Sequence, residues 1–253
     1  MLVLLSPSKT LDFETDVPIT HYSVPKFKAM SENLINDLKD YSVQEIASMM
    51  NISDKLAELN FDRFQTWTTS HTLNNAKQAL FAFKGDVYDG LDAYSLTPEQ
   101  IGFANNHVRI LSGLYGILSP LDLIMPYRLE MGRKLPRGLV RSLYEYWDGI
   151  LVPELNKSVL DNNCIINLAS KEYFSAIDEK RVESRIITPT FKELKNGTYK
   201  VVSLNAKKAR GTMTRKIIEG GILNPEDLKT LEINGYIYNE AFSSGREFVY
   251  VRV

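Results

Sequence analysis

The sequence predicts an α/β fold of the mixed α+β kind, one compact domain over residues 1–253 with a mixed sheet surrounded by helices. Three observations lead there. Short apolar runs of strand length are interspersed with stretches of helical periodicity, no repeat of fixed period occurs, and no Pro/Gly/Ser-rich linker divides the chain. With 44% hydrophobic and 24% charged residues, a chain this long can bury a substantial core.

Leu2 to Leu5 is a continuous apolar run ended by Ser6-Pro7, which suits a buried strand leaving a sheet. Phe27, Met30, Leu34, Ile35 and Leu38 carry helical spacing between Pro25 and about Asp40. Val43 to Met50 makes a second short helix, and Ser53 precedes a third bearing Leu56, Leu59 and Phe64. Asn74 to Phe83 also reads as helix. Thr97-Pro98-Glu99-Gln100 offers a threonine N-cap, a proline in the first turn and a reciprocal glutamine cap. Val108 to Leu111 and Cys164 to Leu168 read as strands. Between them a helix is expected from about Leu139 to Leu160, kinked at Pro153. Strands near Arg185–Ile187 and Tyr199–Leu204, a helix from about Ala206 to Glu219 and a closing strand Glu247–Arg252 complete the chain.

The formal net charge is -1, so any site for a polyanion must arise from local segregation of charge. Such segregation exists. Between Gly85 and His107 there are four acids and no Lys or Arg, whereas Pro126 to Arg141 holds five bases against Glu130 alone. Lys192 to Lys216 holds eight bases against Glu193. In the predicted helix there, Ala206, Ala209, Met213 and Ile217 share an apolar face opposite Lys208, Thr212 and Arg215, with Lys207 and Arg210 flanking. Gly211 in mid-helix costs roughly 1 kcal/mol relative to Ala, which points to close approach by another backbone or a ligand. Such runs are also read as solvated faces balanced by the acidic segment.

Two short helices meeting at Asn51-Ile52-Ser53-Asp54 resemble the helix-hairpin-helix of DNA-repair proteins, with Lys55 adding a cation at the second helix's N-terminus. That module usually carries glycines where this chain has Asn51 and Ser53. Asn tolerates the left-handed conformation and Ser can cap the helix. An ordinary helical hairpin accounts for the same residues.

No catalytic motif is recognisable. Ser6-Pro7-Ser8-Lys9-Thr10 after the first strand is a candidate anion-binding loop but lacks the glycines of a P-loop. Leu111 to Gly116 has only half a dinucleotide-binding glycine pattern. The blocks around Tyr127, Arg128 and Glu130, and around Asn167, Ser170 and Tyr173, combine small, aromatic and charged residues near strand ends. With Ser6 and Ser8 they outline a candidate pocket for a small anionic or nucleotide ligand. His21, His71 and His107 are scattered, and with the single Cys164 they give no metal-ligand spacing, so no metal or cofactor is expected. One cysteine forms no internal disulfide, and Met1–Leu5 is too short for a signal peptide or membrane span. A cytoplasmic protein without a membrane partner is expected.

Seven ordered blocks resemble one family: Ser6–Phe13, Ile52–Ala57, Ala82–Tyr88, Leu111–Gly116, Pro126–Gly132, Asn167–Ser170 and Ala206–Gly211. They are similar in order and spacing to YaaA proteins. The resemblance implies a protein made under hydrogen-peroxide stress, associated with low free iron and protected DNA. It further implies a positive cleft and a helix-hairpin-helix element that bind duplex or branched DNA without sequence preference. Carried over by position, the hairpin falls on Asn51, Ile52, Ser53, Asp54 and Lys55. Charge and motif position add Lys9, Arg128, Lys207, Lys208, Arg210 and Arg215 to the expected phosphate contacts. The alternative is an enzyme acting on a nucleotide, nucleobase or phosphorylated small molecule in a pocket near Lys9, Arg128 and Glu130. An iron-handling role would need carboxylates brought together by folding.

Overall fold

The structure, a computed structural model, describes residues 1–138, 140–159 and 164–253. The wholly buried β1 (Leu2–Leu5) leads to β2 (Thr10–Leu11) and then to α1 (Lys28–Lys39), α2 (Val43–Met50) and α3 (Asp54–Thr66). A capping box starts α2. Ser42 Oγ accepts from the Glu45 amide and the Glu45 carboxylate accepts from the Ser42 amide. The helix ends at Asn51, which takes the left-handed conformation (φ 51°) expected of it.

The helix expected over Asn74–Phe83 does not form. Instead β3 (Lys77–Gln78), one turn of α4 (Ala79–Ala82) and β4 (Phe83–Lys84) follow each other. Residues 76–83 are all buried, Lys77 and Gln78 included, so no solvent-facing side exists to stabilise an amphipathic helix, and pairing with distant partners decides the conformation. The chain continues through α5 (Asp86–Leu91), α6 (Pro98–His107), β5 (Val108–Ser112), β6 (Gly116–Leu118) and β7 (Leu123–Ile124). The Thr97/Gln100 capping box is present as expected.

In place of one kinked helix there are α7 (Leu143–Trp147) and α8 (Leu151–Ser158), separated by Asp148-Gly149-Ile150 with Gly149 at φ 70°. Pro153 falls in the first turn of α8, where its missing N–H has no intrahelical acceptor to lose, so it causes no kink. The expected termini Leu139 and Leu160 lie outside the described residues. The last third comprises β8 (Cys164–Asn167), α9 (Lys171–Phe174), β9 (Arg185–Lys195), β10 (Thr198–Lys200), α10 (Ser203–Gly220), β11 (Ile237–Tyr238) and β12 (Glu247–Arg252). β9 runs well past Ile187 because its residues alternate between buried and half-exposed as far as Glu193. The expected strand ending at Leu204 stops at Lys200, and α10 has already begun at Ser203.

The main sheet has the order β11-β12-β9-β8-β1-β5-β6, with β10 hydrogen-bonded to β9. The central pairs β12/β9, β9/β8, β8/β1 and β1/β5 are parallel, and β6 and β11 are antiparallel edges. This is the mixed α/β fold the sequence predicts. Leu4, Trp147, Phe191 and Tyr250 are all fully buried in one connected core. β1 is followed in the chain by β5 on one side, and β8 is later placed on the other. Such a reversal opens a crevice at the carboxyl ends of the strands, where ligands of open α/β sheets bind.

Glu193 is buried near the carboxyl end of β9. Tyr236 donates to it at 2.6 Å, Asn205 at 2.7 Å and Arg252 at 2.8 Å, with Lys195 at 3.4 Å. The Tyr236 bond, followed by those of Asn205, Arg252 and Lys195, outweighs burial and holds the carboxyl at about 2, against 4.5 for an ordinary glutamate. A depressed carboxyl stabilises the fold above its unfolded value, and that contribution is lost as pH falls from about 4.5 through about 2. Urea denaturation at stepped pH is expected to show this loss in the wild type. In Glu193→Gln the stability should be lower at neutral pH and should change less over that window.

Candidate anion-binding site

The residues after β1, β5 and β8 meet at the crevice. The Ser170 amide donates to Ser6 Oγ at 2.8 Å, and Ser6 Oγ lies 3.2 Å from Ser170 Oγ. Tyr88 of α5 donates its hydroxyl to the Ser6 carbonyl at 3.0 Å. Ser112 Oγ and the Tyr127 hydroxyl are 2.6 Å apart, and Ser8 Oγ donates to the Lys84 carbonyl. Asn167 Oδ1 accepts from the Ala169 amide at 3.1 Å, while its Nδ2 donates to Thr188 at 3.3 Å. Ser6, Ser8, Asn167 and Ser170 therefore tie the strand ends together. Burial pushes the Tyr88, Tyr127 and Tyr173 hydroxyls above their usual range, so all three are neutral at physiological pH.

Charge collects on one side of this frame. Glu130 is 3% exposed and meets Lys9 at 2.8 Å, Arg128 at 3.0 Å and Arg133 at shorter range. Burial raises its carboxyl, but the bonds from Lys9 and Arg133 outweigh burial and hold it below the ordinary range. Arg63 of α3 brings a further guanidinium near Arg128. Burial first, and the Arg128 charge second, lower its proton affinity. Glu172 is the second acid here, accepting the Gly132 amide at 3.0 Å and acting on Tyr173. Four cations against two carboxylates leave an excess of positive charge. Arg128 Nε is buried without an acceptor among the described residues. A phosphate would supply the missing charge and acceptors.

The hairpin reaches this cluster through Arg63 of α3, whereas Arg137 bonds Glu45 of α2 at 3.1 Å and stacks on the Tyr41 ring. Asn51, Ser53 and Lys55 are exposed and Ile52 is half-buried. Ser53 has the backbone of an N-cap, but contrary to expectation its hydroxyl caps nothing, leaving the first amides of α3 without a side-chain acceptor. The second basic segment lies elsewhere, on α10, which packs chiefly on α5 with smaller contacts to α6 and β9. Lys207 and Lys208 are exposed on α10. Arg210 is half-buried, with its proton affinity lowered by burial. Arg215 is committed to structure. It donates to the Leu91 and Asp92 carbonyls and to Ser95, and pairs with Asp92 and Glu219. Gly211 meets a backbone, that of Val87 in α5.

Of the residues singled out in the sequence, Lys9 and Arg128 lie against Glu130, and Tyr127 is bonded to Ser112. Arg63, Arg133 and Tyr88 stand with them in the structure without having been singled out as site residues in the sequence. Arg133 carried a signal, since it lies three residues from Glu130 in the basic segment. Arg63 carried none, because it belongs to an amphipathic helix whose neighbours in sequence are not at the site. Cys164 is buried in β8, and burial pushes its thiol up, away from the reactive thiolate. Among the described residues no group of three or more His, Cys, Asp or Glu is placed to hold a metal ion, and no helix is long and apolar enough to cross a membrane.

Comparison with known proteins gives one consistent result. The model of the family described as peroxide stress protein YaaA matches residues 1–242. A UPF0246 protein of Psychromonas ingrahamii is 52% identical over 254 aligned residues, covering 100% of this chain and 99% of the relative. UPF0246 proteins of Alteromonas mediterranea (49% identical, 98% of its length) and Hahella chejuensis (48%, 99%) also align with the whole chain.

Proposed function

The chain belongs to the YaaA family of peroxide stress proteins, and from that premise we propose that it binds duplex or branched DNA without sequence preference. The contact surface is the crevice carrying Lys9, Arg128 and Arg133, flanked by the α2–α3 hairpin. One observation carries the reading: three cations surround the buried carboxylate of Glu130, with Arg63 adding a fourth beside them. The net charge of the whole chain is -1, so this local excess has to act at short range, as phosphate contacts do. The exposed start of α3, with its uncapped amides and Lys55, adds donors suited to a phosphate. None of these groups reads a base, which fits binding without sequence preference.

A second reading is favoured by the same convergence. Lys9, Arg128 and Glu130 meet beside the Ser6/Ser170 pair, as a site handling a nucleotide or phosphorylated small molecule would require. The two readings overlap if the phosphate belongs to DNA.

Loss of charge separates the two basic segments. Lys9→Ala combined with Arg133→Ala is expected to weaken duplex binding about tenfold, alike for unrelated sequences. Lys207→Ala combined with Lys208→Ala should have the smaller effect. Anisotropy titrations of labelled duplexes measure both. A larger loss in the Lys207/Lys208 variant would move the contact surface to α10.

A further inference from the structure

Beside the β2–β4 pair lies a cavity of about 240 Å³ that the DNA reading leaves unused. Its walls are aromatic: Phe81 stands edge-on to Tyr94 at 5.1 Å, and Phe83 lies against Tyr88 at 5.4 Å. Three of these rings are buried, whereas Tyr94 is 38% exposed. Tyr94 is also held in place, since its hydroxyl bonds the Phe81 carbonyl at 3.3 Å and Lys77 Nζ sits 5.6 Å from its ring centroid. A fixed, half-open ring loses little entropy when a flat ligand stacks on it.

The polar lining comprises Asp12, Asp89, Asp92 and Lys84, with Thr15. Asp12 is occupied by the amides of Glu14 and Thr15 and by Lys77, and Asp92 by Ser95 and Arg215. Asp89 is exposed on α5, and its carboxylate has no partner among the described residues. Lys77, Lys84 and Arg215 balance the three carboxylates, so the cavity has no excess of negative charge to select an organic cation. Tyr88 links it to the crevice, lining the cavity with its ring and holding the Ser6 carbonyl with its hydroxyl. Lys84 is 59% exposed in its side chain and pairs in β-structure with Thr10, the residue after Lys9.

We propose that this cavity receives one unpaired nucleobase carrying an amino group, adenine, cytosine or guanine, with its phosphate directed to Lys84. Tyr94 supplies the stacking surface and Asp89 accepts the base N–H groups, as carboxylates do with amino-bearing base edges. Size supports a single ring system: the cavity falls below the roughly 300–1,000 Å³ typical of pockets for larger ligands. The proposal deepens the DNA reading and rests on it only for the source of the nucleotide.

Calorimetric titration of the full chain with dAMP, dCMP, thymidine monophosphate and deoxyribose 5-phosphate tests it. dAMP should bind about ten- to a hundredfold more tightly than deoxyribose 5-phosphate, the range of one base–aromatic stack. Tyr94→Ala should abolish that advantage. Asp89→Ala, on an exposed helical position, should remove the preference for dAMP and dCMP over thymidine monophosphate. Equal affinity for dAMP and deoxyribose 5-phosphate, no saturable dAMP binding, or an advantage surviving both substitutions would overturn the proposal. Tyr94→Ala should leave affinity for fully paired duplex unchanged. The DNA reading is scored separately by the Lys9/Arg133 variant on paired duplex, so either idea can fall while the other stands.

Discussion

Gly211→Ala is expected to lower folding stability by about 2–3 kcal/mol or more, although alanine is the better helix former by roughly 1 kcal/mol. A Cβ at this position would lie well inside van der Waals contact of the Val87 carbonyl and 2.9 Å from the Leu91 amide nitrogen. Both are backbone atoms of α5, which cannot yield as a side-chain tip does. Gly90 faces Lys208 of α10 in the same way, so the two helices touch backbone to backbone at two points. Separating them by a methyl group would also displace Tyr88, whose hydroxyl holds Ser6 at the crevice. Urea denaturation of wild type and variant checks the prediction. A variant as stable as the wild type, or more so, would mean that propensity outweighs the close approach.

Glu130→Gln is expected to move stability and DNA affinity in opposite directions. Removing the acid partner of a buried ion pair costs about 3–5 kcal/mol when both partners are buried. Here Glu130 is 4% exposed in its side chain but Lys9 is 59% exposed, so water screens part of the loss, and about 2 kcal/mol is the expected figure. Affinity for duplex should rise, because one negative charge leaves the cluster while Lys9, Arg128 and Arg133 remain. Protonation of Glu130 has the same sense. Its carboxyl is depressed in the folded state, so its stabilisation is present above about 4.5 and lost as pH falls through its lower folded value. A purely structural ion-pair cluster would lose stability in Glu130→Gln with no gain in affinity.

The local devices were legible in the sequence: the Thr97 capping box, the Asn51 turn, and the apolar face of Ala206, Ala209, Met213 and Ile217, all four of them buried. These depend on residues within a turn or two of each other. What escaped depends on tertiary context. Residues 76–83 are buried all round, and two-residue pairings with β2 and β7 fix them as strand, turn and strand. Gly211 was legible as a close approach, but its partner was not. Arg215 looked like one more cation of the basic segment and in fact binds the C-terminal carbonyls of α5. At the site, the blocks at strand ends pointed to Lys9, Arg128 and Glu130. Only folding could show that Arg63 comes in from the hairpin.

A phosphate-binding surface formed by the Glu130 cluster and the hairpin is tested most directly by the salt dependence of duplex binding. With Lys9, Arg63, Arg128, Arg133 and Lys55 engaged, about five phosphates are neutralised, and log K should fall with log salt at a slope near -4 to -5. The Lys9→Ala/Arg133→Ala variant should flatten that slope by about two. An affinity nearly independent of salt, or no measurable binding to duplex at low salt, would contradict the account.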